Sequence, residues 1–365
     1  MKEKVKRILE KRPLRKKEPE KSLIQAIQGL PRITNETVAE HREEVLSSAR
    51  KYIYPLQHSP HRVVIISSAL LVLVLIGFFT YCLLALYKFH ASSTFIYRVT
   101  QVIPFPVAKA GGRYVAYENY LFELRHYIHY YETQQKVDFS NSDCDAQETS
   151  VKCGKQQLED FRKRALERVV DNAYIKELAK DNGIKVTDQE LEDAIRLVRS
   201  QNRLGSNEQV FEDVLKEFWG WSVSDFKREL KQQILTQKVM ATLDTATNQE
   251  AKDVHVRLQA GEDFAALARS NSDDPATKDN GGAYGLAIGR SDRNLPPQVI
   301  DVLFRLKPGE ISGVVNTGTG LEVIKLTEVE GSKVKASHIL FSFKPIDTYV
   351  RPLKDKEKPQ FFINP

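Results

Sequence analysis

The sequence predicts one membrane-spanning helix followed by two folded parts, a mostly α-helical domain and a smaller α+β domain. An uncharged apolar run fills residues 63–87, helix-period apolar stripes with capping signals fill 106–245, and from 247 onward helices, glycine-rich turns and strand-like runs follow one another. A chain of 365 residues is too long for one ordinary hydrophobic core, which fits two domains with additional segments.

Composition narrows the class further. With 41% hydrophobic and 28% charged residues, 18 Gly and 15 Pro, the chain is neither collagen-like, wholly disordered nor a multi-span membrane protein. Three Cys without a CxxC or CxxH pair offer no metal-ligand spacing, so neither a metal nor a cofactor is expected. The net charge is +6, but residues 1–62 hold 15 Lys and Arg against 8 Glu, so the basic excess lies in the N-terminal tail. The near-neutral remainder carries no recognition motif, and no nucleic-acid partner is expected.

Residues 1–62 read as a basic, largely disordered tail. The run VVIISSALLVLVLIGFFTYCLLALY at 63–87 follows, and as a helix it would reach roughly 37 Å, enough to cross a bilayer core of about 30 Å. It is too long and too far from the N-terminus for a cleaved signal. Basic residues concentrate before it (Arg42, Arg50, Lys51, Arg62), which places the tail in the cytoplasm and residues 88–365 outside. The Lys and Arg of residues 2–21 make membrane lipid a candidate partner, beside the plainer reading of a solvated tail that sets topology. In an oxidising compartment, Cys144 and Cys153 of the polar stretch NSDCDAQETSVKCGK are expected to form a disulfide, while Cys82 fills the span.

Residues 88–105 read as a linker. In 106–245, Tyr120, Leu124, Tyr127 and Tyr131 stripe one helix, and Phe161, Ala165, Val169 and Ala173 stripe a second that stops at Asn182-Gly183. Thr187 with Glu190 and Ser222 with Asp225 form capping boxes for two more. His126 and His129 sit among the tyrosines and read as packing residues. The segment RVVDNAYIKELAKDNGIKVTDQELEDAI with FWGWSVSDFKREL resembles the N-terminal chaperone domain of SurA-type and PrsA-type exported folding factors. That resemblance implies a groove for unfolded clients and draws attention to Trp219 and Trp221, for which core packing is an equal alternative.

In 247–345, Thr247 with Glu250 is the expected start of a helix. GEDFAALARSNSDDPATKDNGGAYG and LFRLKPGEISGVVNTGTGLEVIKL resemble a parvulin-type peptidyl-prolyl isomerase domain, which implies the FKBP-like superfold. The opening strand of that family has no counterpart before Thr247, whereas VKASHILFSF at 334–343 matches it and follows the last strand, 321–329, after a tight turn. A circularly permuted domain with its first strand at 333–343 and an unfinished second repeat are the two accounts, and the first leaves no gap in the sheet. Residues 346–365 read as a flexible tail.

The resemblance implies Asp274 and His338 as catalytic residues with Thr319 in their polar network. It implies a proline pocket from Leu295 and Val299, the latter where the family keeps an aromatic ring, with Tyr284, Phe304 and Glu322 also on the substrate side. Glu322 stands where the family keeps a second His, and Tyr284 where it keeps a Leu. The implied function is a membrane-anchored extracytoplasmic folding factor whose partners are unfolded, proline-containing exported polypeptides. The alternative is a non-enzymatic chaperone or scaffold with a degenerate isomerase domain.

Overall fold

A computed structural model describes residues 34–57, 60–139, 154–200 and 207–364, with side chains left aside at 50–60 and 200. Cys144 and Cys153 lie outside the described residues.

Helix α1 spans Asn35–Gln57 and α2 spans Pro60–Leu83. Among the described residues, one stretch, His61–Lys88, is long and apolar enough to cross a membrane, and none of its most apolar window is buried. An all-round apolar helix without protein covering is what a bilayer would accommodate.

The chain divides into two compact units, Met1–Tyr81 and Cys82–Pro365. The second unit begins on the last turns of the apolar run. Cys82, Ala85 and Leu86 are buried in it, Tyr117 donates to the Leu86 carbonyl at 2.7 Å, and Tyr87 donates to the Pro106 carbonyl at 2.6 Å. Residues 88–105, expected as a linker, contain helix α3, Thr94–Val102, N-capped by Ser93 and buried through Ile96 and Thr100. Arg125 fastens its start by donating to the Ser92 carbonyl at 2.8 Å. The helix is too short for its apolar period to stand out in sequence.

A hairpin of β1 (Pro106–Ala110) and β2 (Arg113–Ala116) leads into α4, Tyr117–Thr133. Helices α5 (Gly154–Asp181), α6 (Asp188–Ser200), α7 (Glu208–Val214) and α8 (Val223–Leu243) complete the helical part. The Ser222/Asp225 capping box is formed, and at α6 Thr187 and Glu190 exchange backbone and side-chain bonds of 2.7 and 3.2 Å. Tyr117, Tyr120, Leu121 and Leu124 of α4 are buried, as are Phe161, Ala165, Val169 and Val170 of α5. His126 and His129 approach the Trp219 and Glu217 carbonyls at 3.4 and 3.0 Å, holding the π turn Leu215–Trp219. Trp221 stacks on His126 and Phe122, with ring centroids 4.6 and 6.0 Å away, and Trp219 stacks on Trp221.

Glu123 of α4 is buried beside Arg168, 3.2 Å away. Burial raises its pKa more than Arg168 lowers it, and the carboxyl is pushed up to about 7. The folded state therefore holds that proton more tightly than the unfolded state, so this group's contribution falls as pH rises from about 4.5 through about 7. In thermal melts, Glu123→Gln is expected to gain on the parent protein across that window. A pH-independent difference between the two would contradict this.

Helix α9, Thr245–Gln259, starts earlier than expected, because Asp244 is its N-cap and accepts from the Thr247 amide at 3.3 Å. The same carboxylate accepts from the Lys344 amide at 2.8 Å, so a buried cap also pins the end of the sheet. Then come α10 (Phe264–Asn271), β3 (Ile288–Gly289), α11 (Pro297–Leu303), β4 (Val315–Asn316), β5 (Gly320–Glu330) and β6 (Lys333–Ser342). These four strands form one sheet in the order β3-β6-β5-β4, all antiparallel neighbours. Strands β5 and β6 pair from Gly320↔Ser342 to Glu330↔Lys333 around a turn in which Gly331 has φ +59°. One face of the sheet buries Leu321, Val323, Ile339 and Phe341 under α9 and α10. The other buries Ile324, Leu326, Val334 and Ala336 with Val299, Ile300 and Leu303 of α11.

Residues 346–365, expected to be a flexible tail, are structured through Asn364. Helix α12 (Asp347–Lys356) buries Val350, pairs Lys354 with Asp171 of α5, and is followed by β7, Gln360–Phe361. Strand β7 joins β1 antiparallel, Ala108↔Phe361, and completes a three-stranded sheet β2-β1-β7. Tyr174 donates to the Glu357 carbonyl at 2.5 Å. A helix with Pro352 inside it and a strand of two residues leave little periodic signal.

Candidate active site

The β5–β6 hairpin sets His338 directly opposite Ile324. Alternation along both strands then puts His338 and Glu322 on the α11 face, at the end of its apolar cluster. The loop after α10 closes over them through Gly282, whose φ is +80°. The His338 amide donates to the Gly282 carbonyl at 2.8 Å, and a Cβ on Gly282 would run into the His338 carbonyl oxygen. Only glycine permits this approach. Two residues on, the Tyr284 amide donates to the Ala336 carbonyl at 3.1 Å and the Tyr284 ring stacks on the imidazole with centroids 4.2 Å apart.

The imidazole lies between two carboxylates. Its Nδ1 is 3.1 Å from Glu322 Oε2 and its Nε2 is 2.9 Å from Asp274 Oδ2. Tyr284 donates its hydroxyl to Glu322 at 3.0 Å. Thr277 donates to Asp274 Oδ2 at 2.5 Å and stands 2.9 Å from His338 Nε2, while the Ala276 amide donates to Asp274 Oδ1 at 3.0 Å. The His338 and Glu322 side chains are each 7% exposed and that of Asp274 is 20% exposed. Burial raises the Asp274 pKa, but the Thr277 hydroxyl, the Ala276 amide and His338 outweigh it and hold the carboxyl below its ordinary value. Burial and then the Glu322 charge push the Tyr284 phenol up. Asp274 and Glu322 meet opposite ring nitrogens, so the three groups do not converge on one point as metal ligands would.

The expected residues thus divide. Asp274, His338, Glu322 and Tyr284 come together. Thr319 does not join them: it is exposed, accepts from the Phe343 amide at 3.1 Å, and lines a separate groove with Gln237, Met240 and Ile346. Val299 is fully buried under the sheet, so its side chain is core and offers nothing to a ligand. Leu295 and Phe304 are half-buried against the same cluster, and the Arg290 guanidinium covers the Phe304 ring at 4.3 Å. Thr277 supplies the network hydroxyl that Thr319 was expected to supply. Its only sequence signal is its place three residues after Asp274 in a turn, DPAT, where a hydroxyl can fold back on the Asp.

Residues 57–240 match the sequence profile of the SurA-like N-terminal domain, half of the chain. The chain belongs to that family. Residues 234–328 of the same SurA-like protein match the PPIC-type PPIASE domain profile, a match that stops short of β6 and His338. Among similar proteins, the foldase protein PrsA of Caldanaerobacter subterraneus subsp. tengcongensis is 34% identical over 195 residues, covering 50% of this chain and 61% of that protein. The foldase protein PrsA of Clostridium botulinum strain Hall is 29% identical over 218 residues, covering 50% of this chain and 64% of its own length. The SurA-like chain thus spans less than two thirds of either relative.

Proposed function

We propose that the chain is a membrane-anchored, extracytoplasmic folding factor that holds unfolded exported polypeptides and isomerises their X-Pro bonds, with the tail before the span in the cytoplasm. The observation that carries the enzymatic part is the Asp274–Thr277–His338–Glu322–Tyr284 network, assembled across β5 and β6 at the edge of an apolar cluster. The α+β part is read as a parvulin-type, FKBP-like domain in circular permutation, with β6 in the opening-strand slot. The match to the PPIC-type domain ending at residue 328 supports this.

Rotation about a prolyl amide meets a barrier of roughly 20 kcal/mol, because twisting breaks amide resonance. A protein lowers it by holding the ring against apolar surface, excluding water and presenting fixed polar groups that suit the twisted amide. Leu295 and Tyr284 are the half-buried groups beside the network that can hold the ring. Asp274, whose side chain is more exposed than those of His338 and Glu322, is the group that would touch substrate. His338 and Glu322, nearly enclosed, act as positioning residues.

A second reading, a chaperone without isomerase activity, is favoured by the complete burial of Val299 and by the Tyr284 ring lying over His338. Isomerisation assays with the full chain in detergent, on a panel of X-Pro peptides, separate the two. Asp274→Ala and His338→Ala are each expected to lower kcat/KM by about tenfold or more. Activity at background in the parent protein, with aggregation of an unfolded client still suppressed, would establish the second reading instead.

A further inference from the structure

A cavity of about 160 Å³ opens between β2, α4, α5 and α8 of the helical domain. It shares Asn172, Glu229 and Gln232 with a groove lined by Gln233, Met240 and Thr319, so the two adjoin. The charges around the cavity are unevenly matched. Arg228 is held by Glu118 at 2.6 Å and by Asn119, and Arg168 serves both Glu123 and Glu229. That leaves Arg113 and Lys176, exposed side chains on its lining, and among the described residues neither has a carboxylate within ion-pair distance. Although the residue as a whole is exposed, desolvation of the Lys176 ammonium by the cavity wall and the positive charges of Arg228 and Arg113 lower its pKa more than the Glu118 and Glu229 carboxylates raise it. Arg113, Lys176 and Arg228 on the wall outnumber Glu123 and Glu229. The Nε2 of Gln232 is a buried donor without an acceptor.

Two cations without a salt bridge and an unused N–H donor in a cavity beside a groove call for an anionic group on the end of an extended ligand. We propose that the cavity receives the C-terminal carboxylate of a bound polypeptide, whose preceding residues lie along the groove past Gln233, Met240 and Thr319. A carboxylate in the cavity would be offered the Lys176 ammonium, the Arg113 guanidinium and the Gln232 amide, all on its wall. This rests on the reading of the chain as a polypeptide-holding protein and adds which end of the polypeptide it reads. The site shares no residue with the His338 network.

The test is fluorescence anisotropy with the full chain in detergent and one labelled unfolded peptide, offered as the free acid and as its C-terminal amide. The acid is expected to bind about tenfold more tightly, as charge-assisted hydrogen bonds at a partly enclosed site imply. Arg113→Ala with Lys176→Ala should remove the difference, and Lys176→Glu should reverse it. Both side chains are exposed, and unchanged melting curves would show that the variants fold. Equal affinity for acid and amide, or a preference that survives in the double variant, overturns the proposal while leaving polypeptide binding intact. Binding of neither form removes both. Displacement of the peptide acid by equimolar acetate would overturn the polypeptide as source of the carboxylate.

Discussion

Removal of residues 333–365 is expected to unfold the isomerase-like domain completely. Strand β6 is an interior strand, hydrogen-bonded to β3 on one side and β5 on the other. It sends Ile339 and Phe341 into one core and Val334 and Ala336 into the other, all buried. Truncating a single such large side chain costs about 2–5 kcal/mol. Losing the strand removes several at once and leaves β5 an open edge, which exceeds the roughly 5–15 kcal/mol that holds a domain together. Calorimetry and hydrogen exchange should show the domain's transition missing and the β5 amides unprotected. Removal of 346–365 alone should leave that transition in place. A parent-like transition in the longer truncation would mean that β6 is an accessory strand and would sink the permuted reading.

Replacement of His338 by Ala is expected to cost about 3–5 kcal/mol of stability, because Glu322 is then left buried with the Tyr284 hydroxyl as its remaining described partner. The loss should reside with the buried Glu322 carboxyl left without its partner rather than with the missing ring. His338→Leu combined with Glu322→Leu should therefore recover much of it, as apolar replacements of buried ionic groups commonly do. Urea unfolding of the single and double variants measures both. A single-variant cost under about 1 kcal/mol, or a double variant no better than the single, would show that the network does not hold the hairpin. Asp274 adds a pH signature. Its folded carboxyl is held below the ordinary value of 3.8, so the unfolded state binds that proton more tightly. Its contribution is full above about pH 4 and fades as pH falls through the lower folded value.

What the sequence showed, and what it hid, follows from the range of the interactions. The capping boxes at Thr187 and Ser222 are three-residue devices and could be read directly. His338 was legible because β6 carries a family-like pattern, even out of order. Val299 was misplaced because an apolar residue on a short helix reads the same whether it faces a ligand or a sheet. Thr319 was misplaced for a related reason. It lies three residues from Glu322, but the loop before β5 turns it to the other groove, where Gly318 has φ +91°. The N-cap at Asp244 was hidden by the Thr247/Glu250 pair, since the contact that selects it is the Lys344 amide, remote in sequence. Segment 347–361 had no local signature, and its structure depends on Asp171, Tyr174 and β1 far upstream.

The pairing of β7 with β1 has a consequence for how the molecule is made. Strand β1 follows the apolar run with one short helix between them, while β7 comes after every element of the isomerase-like domain. The isomerase-like domain is therefore an insertion within the helical one, and the first sheet closes only when β7 has been made. Contacts of such long sequence separation form late, since loop-closure entropy is lost before they contribute. During vectorial synthesis β1 would wait with an open edge until β7 is made. Completion of the small sheet thus requires synthesis through β7, after the whole isomerase-like domain has been made.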